Sequence, residues 1–484
     1  MCFQGDSMRC TKIVCTIGPA TSSEERLRAL IEAGMDVARL NFSHGTHESH
    51  GQVIERIRRL SAELDKPVAI LQDLCGPKIR LGKLPEEGIA LEPGQNVRFV
   101  LAEEGHDAEH IPLPTSTLFA LMRPKERILI DDGRVEVVVT QRDLNSIHGE
   151  VRIGGTIRTR KGVNLPDTRL PVASVTERDL EDLRFGIQRG VDWVAVSFVR
   201  EPEDLQPVRY TIEAAEADIR ILAKIEKRDA VIHLEGILEA ADGIMIARGD
   251  LGVEMPIDEV PLIQKEIIAR CNCEGKPVIT ATQMLESMIS APHPTRAEAT
   301  DVANSILDGT DAVMLSGETA VGQYPVEAVT MMHRIALHTE TALKAGVVAQ
   351  TNQPVAGTLS VTEAVAEAVC HIAYDIDARA IICATTSGST ARLVSKYRPK
   401  TPIVAFTPSE STYRHLALSW GVQPRLIPQV HTMEEMLQTA VNTAVKMGLA
   451  ADGDKVVITA GVPMSLPGNT NLIKVHTIGQ PIVA

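Results

Sequence analysis

Short apolar runs alternate with amphipathic stretches along most of the chain. The runs at residues 221–226 and 243–250 end abruptly in charged residues, a pattern typical of strands buried on both faces. The stretches between such runs carry apolar residues at helical spacing, and two of them begin with the capping patterns Thr176-x-x-Asp179 and Thr295-x-x-Glu298. The alternation predicts strand–helix units that build a parallel sheet.

Eight strands of this kind are predicted, and eight parallel strands alternating with helices indicate a (β/α)₈ barrel. The predicted strands are residues 12–18, 37–42, 67–74, 193–199, 221–226, 243–247, 277–283 and 312–315. The first helix is predicted to begin with the capping pattern Ser22-x-x-Glu25. A final helix over residues 325–344 is expected to close the barrel.

The alternation stops between residue 81 and about residue 164. Short β-like runs and turn residues replace helical periodicity there, so the segment is predicted to be a small all-β insertion after strand three. Residues 345–360 have the composition of a linker, and the strands and helices that follow predict a separate α/β domain. The expected domains are a barrel of residues 8–80 and 165–345, an insertion of residues 81–164, and a C-terminal domain of residues 346–484.

The composition excludes several classes of protein. The chain has 484 residues, 44% hydrophobic and 23% charged, which is ordinary for a globular protein of several domains. A formal net charge of −14 and an aromatic content of 3% argue against a nucleic-acid partner. The sequence lacks a run of eighteen apolar residues and a signal-peptide pattern, so we expect a soluble cytoplasmic protein that does not bind membranes. Residues 1–7 resemble the remnant of a cleaved tag.

Charged residues at the predicted strand ends carry the candidate chemistry. Lys224, Glu226, Arg248 and Asp250 follow two neighbouring strands and should converge on one rim of the barrel. Glu226 and Asp250 suit a hard cation such as Mg²⁺, and Lys224 is placed to stabilise negative charge beside it. The alternative is a rim whose ion pairs only stabilise the fold. The other strand ends contribute Arg39, Asn41, Ser43, Asp73, Ser197, Thr282, Ser316 and Glu318.

A second candidate site lies in the C-terminal domain. Residues 385–390 fall between a predicted strand and the start of a predicted helix, and Thr385, Ser387, Gly388 and Thr390 offer hydroxyl and backbone N–H groups there. Such groups at a helix N-terminus suit a phosphate. An ordinary capped loop remains the alternative.

Several runs in the barrel and the insertion together resemble the pyruvate kinase family. The matching runs are residues 39–45, 73–80, 161–166, 224–226, 247–254, 280–288, 294–298 and 315–319. They follow one another in order through the whole barrel, and the C-terminal domain fits as well. As a set they are highly specific.

The resemblance implies phosphoryl transfer from phosphoenolpyruvate to ADP, which gives pyruvate and ATP, with Mg²⁺ or Mn²⁺ as cofactor. It implies that Glu226 and Asp250 hold the metal, while Lys224 stabilises the transferring phosphoryl group and the developing enolate. Arg39 is expected to contact the phosphate. The backbone at Gly249 and Asp250, together with Thr282, looks like a cradle for the substrate carboxylate.

The remaining roles also come from the resemblance. Thr282 and Ser316 are expected to relay a proton to the enolate carbon through water, since neither hydroxyl is acidic enough alone. The insertion becomes a lid over the barrel mouth, and the nucleotide is expected to bind at Asn41, His44, Arg80 and Lys161. The C-terminal domain becomes a regulatory domain that binds a phosphometabolite, a sugar phosphate or a nucleoside monophosphate, and the family suggests a homotetramer.

One departure concerns K⁺. In family members that need K⁺, a threonine follows the strand-three aspartate and a glutamate stands where this chain has Lys78. The ion would lie near Asn41, Ser43 and Asp73. Here Leu74 offers no side-chain oxygen, and the Lys78 ammonium could supply the charge that K⁺ would bring. The sequence therefore predicts an enzyme that works without K⁺; a Lys78 that points to solvent while K⁺ still binds is the alternative.

Two other functions stay open at this stage. A metal-dependent lyase on a pyruvate-binding barrel could share the metal, enolate and carboxylate contacts, but it would not need the lid, Lys161 or Arg80. A catalytically silent metabolite sensor would be expected to have lost Lys224, Glu226, Asp250 or Thr282. Pyruvate release that depends on ADP would separate a kinase from both.

Overall fold

The structure is a computed structural model that describes residues 8–168, 172–346, 359–430, 432–462 and 468–482. Its first elements are β1 Lys12–Ile17, α1 Glu24–Ala33, β2 Val37–Asn41, α2 His47–Glu63 and β3 Ala69–Asp73. Helix α1 begins one residue later than predicted, because its N-cap is Ser23, whose side chain accepts a hydrogen bond from the Arg26 N–H. The predicted tag remnant, residues 1–7, lies outside the described residues, as does most of the predicted linker.

The inserted domain then interrupts the alternation. Its elements are β4 Ile89–Leu91, β5 Asn96–Val100, β6 Ile111–Pro112, α3 Ser116–Leu121, β7 Arg127–Ile130, β8 Val135–Arg142, β9 Ser146–Ile153, β10 Gly155–Ile157 and β11 Val163–Asn164. They form a sheet in the order β11-β7-β8-β9-β5-β6 and a pair of β10 with β4. The sequence predicted strands alone here; the short helix α3 adds Leu118 and Phe119 to the apolar core of this domain.

The barrel resumes after the insertion. Its elements are α4 Glu177–Arg189, β12 Trp193–Val196, α5 Gln206–Ala214, β13 Arg220–Ile225, α6 Arg228–Ile232, α7 Leu234–Ala240, β14 Gly243–Ala247, α8 Arg248–Glu254, α9 Val260–Glu274, β15 Val278–Ala281, α10 Arg296–Leu307, β16 Ala312–Leu315, α11 Gly317–Ala320 and α12 Pro325–Lys344, with 3₁₀ turns at Pro202–Leu205 and Glu286–Ile289. The eight strands close in the order β1-β16-β15-β14-β13-β12-β3-β2, all parallel, so the predicted barrel is confirmed. The predicted capping boxes at Thr176 and Thr295 are both present.

A ring of four aspartates braces the end of the barrel where the strands begin. One aspartate stands directly before each of β2, β12, β14 and β16, and its carboxylate accepts the backbone N–H at the start of the preceding barrel strand. The pairs are Asp36 with Ile13 at 2.8 Å, Asp192 with Ile70 at 2.7 Å, Asp242 with Ile221 at 2.8 Å, and Asp311 with Val278 at 2.9 Å. Each carboxylate thereby satisfies a backbone donor that would otherwise lack a partner at the sheet end.

The C-terminal domain packs against that same end. Its elements are α13 Val361–Asp375, β17 Ala380–Ala384, α14 Ser389–Lys396, β18 Ile403–Thr407, α15 Glu410–His415, β19 Val422–Leu426, α16 Met433–Lys446, β20 Lys455–Gly461 and β21 Thr470–Thr477, with a 3₁₀ turn at Leu416–Leu418. The five described strands of this domain form one sheet in the order β19-β18-β17-β20-β21, in which β21 runs antiparallel to its neighbour β20 and the others are parallel. Ala417 and Leu418 join the apolar layers inside the barrel and close its amino-terminal end. The opposite end, where the strands terminate, is left for the candidate site.

Candidate active site

Lys224 lies at the centre of the polar rim at the carboxyl ends of the strands. Its Nζ donates a 2.7 Å hydrogen bond to Ser197 Oγ, and it lies 2.8 Å from Glu226 Oε1 and 3.2 Å from Asp73 Oδ1. Burial alone would lower the pKa of Lys224, but the charges of Asp73 and Glu226 outweigh it and raise the pKa. The side chain is therefore a buried, permanently charged ammonium. It is suited to stabilise negative charge that develops beside it.

Glu226 and Asp250 form the pair of carboxylates predicted from the sequence. Glu226 is buried and accepts the Phe198 N–H at 2.8 Å, while Asp250 lies partly exposed in the first turn of α8. Burial raises the pKa of Glu226; Lys224 opposes this shift, and the charge of Asp250 adds to it. Two carboxylates that repel each other in a sheltered place are a donor set that fits a hard divalent cation, with substrate and water completing the coordination.

A three-residue set of potential metal ligands lies elsewhere. Among the described residues, His106, Asp107 and His110 are the group of three or more histidine, cysteine or acidic side chains whose ligand atoms lie within 4.8 Å of one another. All three are exposed, in the segment of the inserted domain between β5 and β6. No group of three such ligands lies at the barrel rim among the described residues. The rim therefore offers the pair Glu226 and Asp250 to a metal rather than a complete set of protein ligands. This matches a cation that keeps positions open for substrate oxygens.

Arg39 is fixed from two sides. Its Nε donates to Asp73 Oδ2 at 2.7 Å, and its guanidinium also donates to Thr16 Oγ1 at 2.9 Å. Burial would raise the pKa of Asp73, but Lys224 and Arg39 outweigh it and lower the pKa. Thr16, near the end of β1, was missed by the sequence analysis. Its position at a strand end was the available signal.

Thr282 lies in a strained turn directly after β15. Its φ is +69°, and that of Gln283 is +56°, a region that side-chain-bearing residues rarely occupy. The Gly249 N–H donates to Thr282 Oγ1 at 2.7 Å, and Arg248 donates to the Thr282 carbonyl at 2.9 Å. The strained turn therefore holds the Thr282 hydroxyl against the start of α8, as a cradle for a carboxylate requires.

Ser316 follows the last barrel strand. Within the described part of the chain its Oγ is buried without a hydrogen-bond partner, while its backbone N–H donates to Glu318 Oε2 at 2.7 Å. Glu318 also accepts the Leu285 N–H at 3.0 Å, and burial raises the pKa of its carboxyl. A buried hydroxyl with unused hydrogen-bonding capacity is a feature expected of a functional site.

The residues predicted to bind the nucleotide come from two places: the end of β2 in the barrel, and the inserted domain with the segment that leads into it. The backbone of Arg80 forms an isolated antiparallel β-bridge with Gly162, and its guanidinium donates to the Arg160 carbonyl at 3.1 Å. Lys161 Nζ lies 2.7 Å from Asp131 Oδ1, within the inserted domain. On the barrel side, the chain after β2 carries Ser43 and the exposed His44, and the Ser43 N–H donates to Asn41 Oδ1 at 3.1 Å. The structure thus brings Arg80 against the segment that carries Lys161.

Lys78 does not reach Asp73 in the structure. Gly76, at φ +68°, turns the chain after β3, and the exposed Lys78 packs its terminal methylene against Gly162 of the inserted domain. No carboxylate of the described chain lies within 4.0 Å of its Nζ. Leu74 is buried in the core between the strands and the helices of the barrel. The positive charges that contact Asp73 are those of Arg39 and Lys224.

A link between the inserted domain and the barrel was not predicted. Asn164 Nδ2 donates to Glu254 Oε1 at 3.1 Å, and Lys227 Nζ contacts the same oxygen at 2.5 Å. These groups line one cavity together with Lys78, Phe198 and Arg200. Asn164 and Glu254 fall inside runs that carry the family resemblance, but Glu254 ends a helix, and the search of strand ends passed over it.

The loop between β17 and α14 has the predicted form. The Gly388 N–H donates to Thr385 Oγ1 at 2.9 Å, and Gly388 has a φ of +80°, which places it among conformations that glycine favours. Thr390 is buried and shares a 2.7 Å hydrogen bond with Thr470 Oγ1, while Ser387 stays partly exposed. The loop borders a cavity of about 70 Å³ in the C-terminal domain.

Comparisons with known proteins agree along the chain. The family model for "Pyruvate kinase, barrel domain" matches residues 8–329, and that for "Pyruvate kinase, alpha/beta domain" matches residues 363–476. A curated relative named "Pyruvate kinase" from Geobacillus stearothermophilus is 50% identical over 475 residues, which cover 98% of this chain and 81% of the relative. One of the same name from Staphylococcus aureus (strain MRSA252) is 47% identical over 479 residues, with the same coverage. Within the described residues, no helix is both long enough and apolar enough to cross a membrane.

Proposed function

The chain belongs to the pyruvate kinase family, and we propose from its geometry which residues carry the reaction. The enzyme transfers a phosphoryl group from phosphoenolpyruvate to ADP and so forms pyruvate and ATP. The observation that carries the assignment of residues is the buried cluster in which Lys224 contacts Glu226 and Asp73 at the carboxyl ends of the barrel strands. Phosphoryl transfer depends mainly on positioning and on charge stabilisation, which this cluster supplies.

Glu226 and Asp250 would hold Mg²⁺ or Mn²⁺. A divalent cation bound there neutralises and orients substrate oxygens. Two features support the assignment: the repulsion between the two carboxylates and the cost of burying the charge of Glu226. A bound cation would offset both.

Lys224 and Arg39 would act on the phosphoryl group. Lys224 is held by Ser197, Asp73 and Glu226, so its ammonium is fixed before substrate arrives and stabilises both the moving phosphoryl group and the enolate. Arg39, held by Asp73, contacts the phosphate.

Thr282, Gly249 and Asp250 would hold the carboxylate of the substrate. The Gly249 N–H donates to Thr282 Oγ1 at 2.7 Å, and the Thr282 hydroxyl donates to the Ala281 carbonyl at 2.7 Å. The two donors therefore lie side by side, and a bound carboxylate would accept both in place of these hydrogen bonds. The enolate carbon then takes a proton from water that Thr282 and Ser316 orient. The unpartnered Oγ of Ser316 supports its part in this relay.

The nucleotide would bind under the inserted domain at Asn41, His44, Arg80 and Lys161. The inserted domain, residues 81–164, acts as a lid over the barrel of residues 8–80 and 165–345. Arg80 bridges the lid segment next to Lys161, so closure brings both cations toward the nucleotide phosphates together.

The enzyme would work without K⁺. Leu74 contributes no oxygen to a site formed by Asn41, Ser43 and Asp73, and both oxygens of Asp73 already contact cationic side chains. Lys78 packs against Gly162 of the lid and lines the cavity below it, so its ammonium adds positive charge to the cleft.

A phosphometabolite would regulate the enzyme through the C-terminal domain, residues 346–484. The loop with Thr385, Ser387, Gly388 and Thr390 opens onto a cavity, and a helix begins at Ser389.

The active enzyme would be a cytoplasmic homotetramer. Light scattering should give four times the 52.4 kDa of one chain.

The test of the activity is pyruvate release coupled to lactate dehydrogenase. We expect release that requires phosphoenolpyruvate, Mg²⁺ and ADP, with one ATP formed per pyruvate. Pyruvate release that needs neither phosphoenolpyruvate nor ADP would indicate a lyase acting on another substrate instead. The absence of turnover in a folded protein that binds phosphometabolites would indicate a sensor.

A further inference from the structure

A polar cavity of about 310 Å³ separates the barrel from helix α14 of the C-terminal domain. It lies at the amino-terminal end of the barrel, beside Asp242 of the aspartate ring, and Ser389 and Leu393 of α14 form its other wall. The barrel rim with Lys224 lies at the opposite strand ends. The cavity therefore belongs to neither the active site nor the pocket inside the C-terminal domain, although Ser389 borders both that pocket and this cavity.

Four cationic side chains line the cavity: Arg209, Arg220, Lys276 and Arg392. Arg209 and Arg220 both pair with Asp242, at 2.9 and 3.4 Å, and Arg220 also lies 3.9 Å from the more exposed Asp218. Lys276 is held by backbone carbonyls at the C-terminal end of α7, among them that of Ala241 at 2.9 Å. The cations thus outnumber the carboxylates that pair with them.

Arg392 has the weakest set of partners among the four. Its guanidinium donates a 3.2 Å hydrogen bond to the Ser387 carbonyl, and no carboxylate in the described part of the chain lies within 4.0 Å of it. Burial and the nearby charge of Arg220 lower the pKa of Arg392 to about 10, so it stays charged at neutral pH. A sheltered cation without a counterion is costly unless something pairs with it.

The other arginines that the C-terminal domain directs at the aspartate ring are paired. Arg398 lies 3.1 Å from Asp311, and Arg414 lies 2.7 Å from Asp192. Arg392 faces the third aspartate of this series, Asp242, but Arg209 and Arg220 already occupy that carboxylate. Arg392 therefore lacks the carboxylate partner that Arg398 and Arg414 have, and a bound anion would supply it.

Two further carboxylates, Glu239 and Glu274, stand at the edge of the cavity. Both are exposed, and neither makes an ion pair with the four cations within 4.0 Å among the described residues. Their charges are therefore screened by water and salt more strongly than that of Arg392. They limit the affinity of the cavity for anions without supplying the missing counterion.

We propose that this cavity binds a tetrahedral oxyanion, namely a phosphate, with Arg392 as its principal ligand and Arg220 and Lys276 as supporting charges. A planar guanidinium pairs with phosphate through two parallel hydrogen bonds, which suits Arg392 because most of its donors are unused. The phosphate is either the free inorganic ion or the phosphate group of a metabolite. The site is separate from the active site, and the hydrogen bond from Arg392 to the Ser387 carbonyl joins it to the effector loop, residues 385–390.

The experiment counts phosphate bound per chain by equilibrium dialysis against inorganic phosphate in a chloride buffer of constant ionic strength. The full-length wild type is compared with Arg392→Gln. Phosphate at the active site contributes equally to both, so the cavity appears as one site that the variant loses or binds about 10- to 100-fold more weakly. Because Arg392 also donates to the Ser387 carbonyl of the effector loop, the position of bound tungstate, rather than dialysis alone, tells loss at the cavity from loss at the loop. Arg26→Gln, an exposed arginine on α1, removes the same charge elsewhere and should bind as the wild type does.

A second measurement does not depend on how the variant folds. Crystals of the wild type soaked in tungstate should show an anomalous peak within hydrogen-bonding distance of the Arg392 guanidinium. Identical phosphate binding by Arg392→Gln and the wild type, or a cavity without a peak at saturating tungstate, would overturn the proposal. Competition by ribose 5-phosphate then identifies the source: displacement of inorganic phosphate below equimolar ester indicates a metabolite, and displacement only at large excess indicates the free ion.

Discussion

Asn164, on the last strand of the inserted domain, donates a 3.1 Å hydrogen bond to Glu254, the last residue of helix α8. The same helix carries Asp250 in its first turn. The bond therefore ties the lid to the short helix that holds a proposed metal ligand. Lys227 contacts the same Glu254 oxygen and keeps its carboxylate in place.

Removing this link should loosen lid closure. We expect Asn164→Ala to raise the KM for ADP by about 10-fold, because a hydrogen bond to a charged group is lost, with a smaller change in the KM for phosphoenolpyruvate. Steady-state kinetics with each substrate varied in turn provide the measurement. Asn145→Ala, an exposed position in the same domain, is the control. Equal effects on the two KM values would contradict a role in lid closure.

The metal assignment predicts a specific defect for Asp250→Asn. The amide keeps the shape of the side chain but binds a divalent cation weakly, so we expect the Mg²⁺ concentration for half-maximal activity to rise and kcat to fall by about 100-fold or more. The melting temperature should stay near that of the wild type, because Asp250 is partly exposed. Wild-type turnover at low Mg²⁺ in this variant would refute the assignment.

The effector loop can be tested at Ser387, which is partly exposed, unlike Thr390, which is buried against Thr470. Ser387→Glu should abolish activation by a sugar phosphate or a nucleoside monophosphate through repulsion between like charges. Ser387→Gln adds nearly the same bulk without charge and should retain part of the activation. Activation curves at subsaturating phosphoenolpyruvate decide the matter. Full activation of Ser387→Glu would place the effector elsewhere.

The barrel was predictable because its strands are apolar runs, most of which end in polar or charged residues, and a parallel sheet with helices on its outside demands apolar strands. Strand β19 was missed because Pro424 and Arg425 interrupt its apolar run. Helix α16 was missed although Thr432 and Glu435 form a capping box at its start. The local signal of β19 is weak and tertiary packing decides that strand, whereas the signal of α16 was present in the sequence and was overlooked.

The rim residues were predictable by the same rule, since parallel strands end at one face. Glu254 and Arg392 were not, because a helix end and a distant domain bring them to their sites. Lys78 shows the limit of proximity in sequence. It stands five residues after Asp73, yet the turn at Gly76 directs it toward Gly162 of the lid.

Independence from K⁺ is testable by ion exchange. Replacing K⁺ by tetramethylammonium at constant ionic strength should leave kcat nearly unchanged, because Leu74 offers K⁺ no side-chain oxygen and Arg39 and Lys224 already neutralise Asp73. The double variant Leu74→Thr with Lys78→Glu should acquire a K⁺ requirement. Leu74→Thr alone is its control, since a hydroxyl at this buried position costs about 1–3 kcal/mol of stability. A strong loss of wild-type activity on the exchange would defeat the hypothesis.

The aspartate ring leads to a prediction about pH. Burial raises the pKa of Asp36, but Arg9, Lys12 and Lys66 outweigh it, and the pKa lies below its ordinary value. A carboxyl with a lower pKa in the folded state stabilises the fold above the unfolded pKa of about 3.9, and this contribution is lost as the pH falls through the folded value. Asp36→Asn should therefore destabilise the protein by about 3–5 kcal/mol at pH 7, because Arg9 loses its buried partner.

The same substitution should matter less in acid, where the wild-type carboxyl also becomes neutral. We expect the difference in melting temperature between the wild type and Asp36→Asn to be largest near pH 7 and to narrow below about pH 4. Asp65→Asn makes the same chemical change at an exposed position and should leave the melting temperature unchanged at both pH values. A gap for Asp36→Asn that is constant from pH 7 to pH 3 would mean that hydrogen bonds to Ile13 and Arg9, rather than the charge of Asp36, stabilise this part of the barrel.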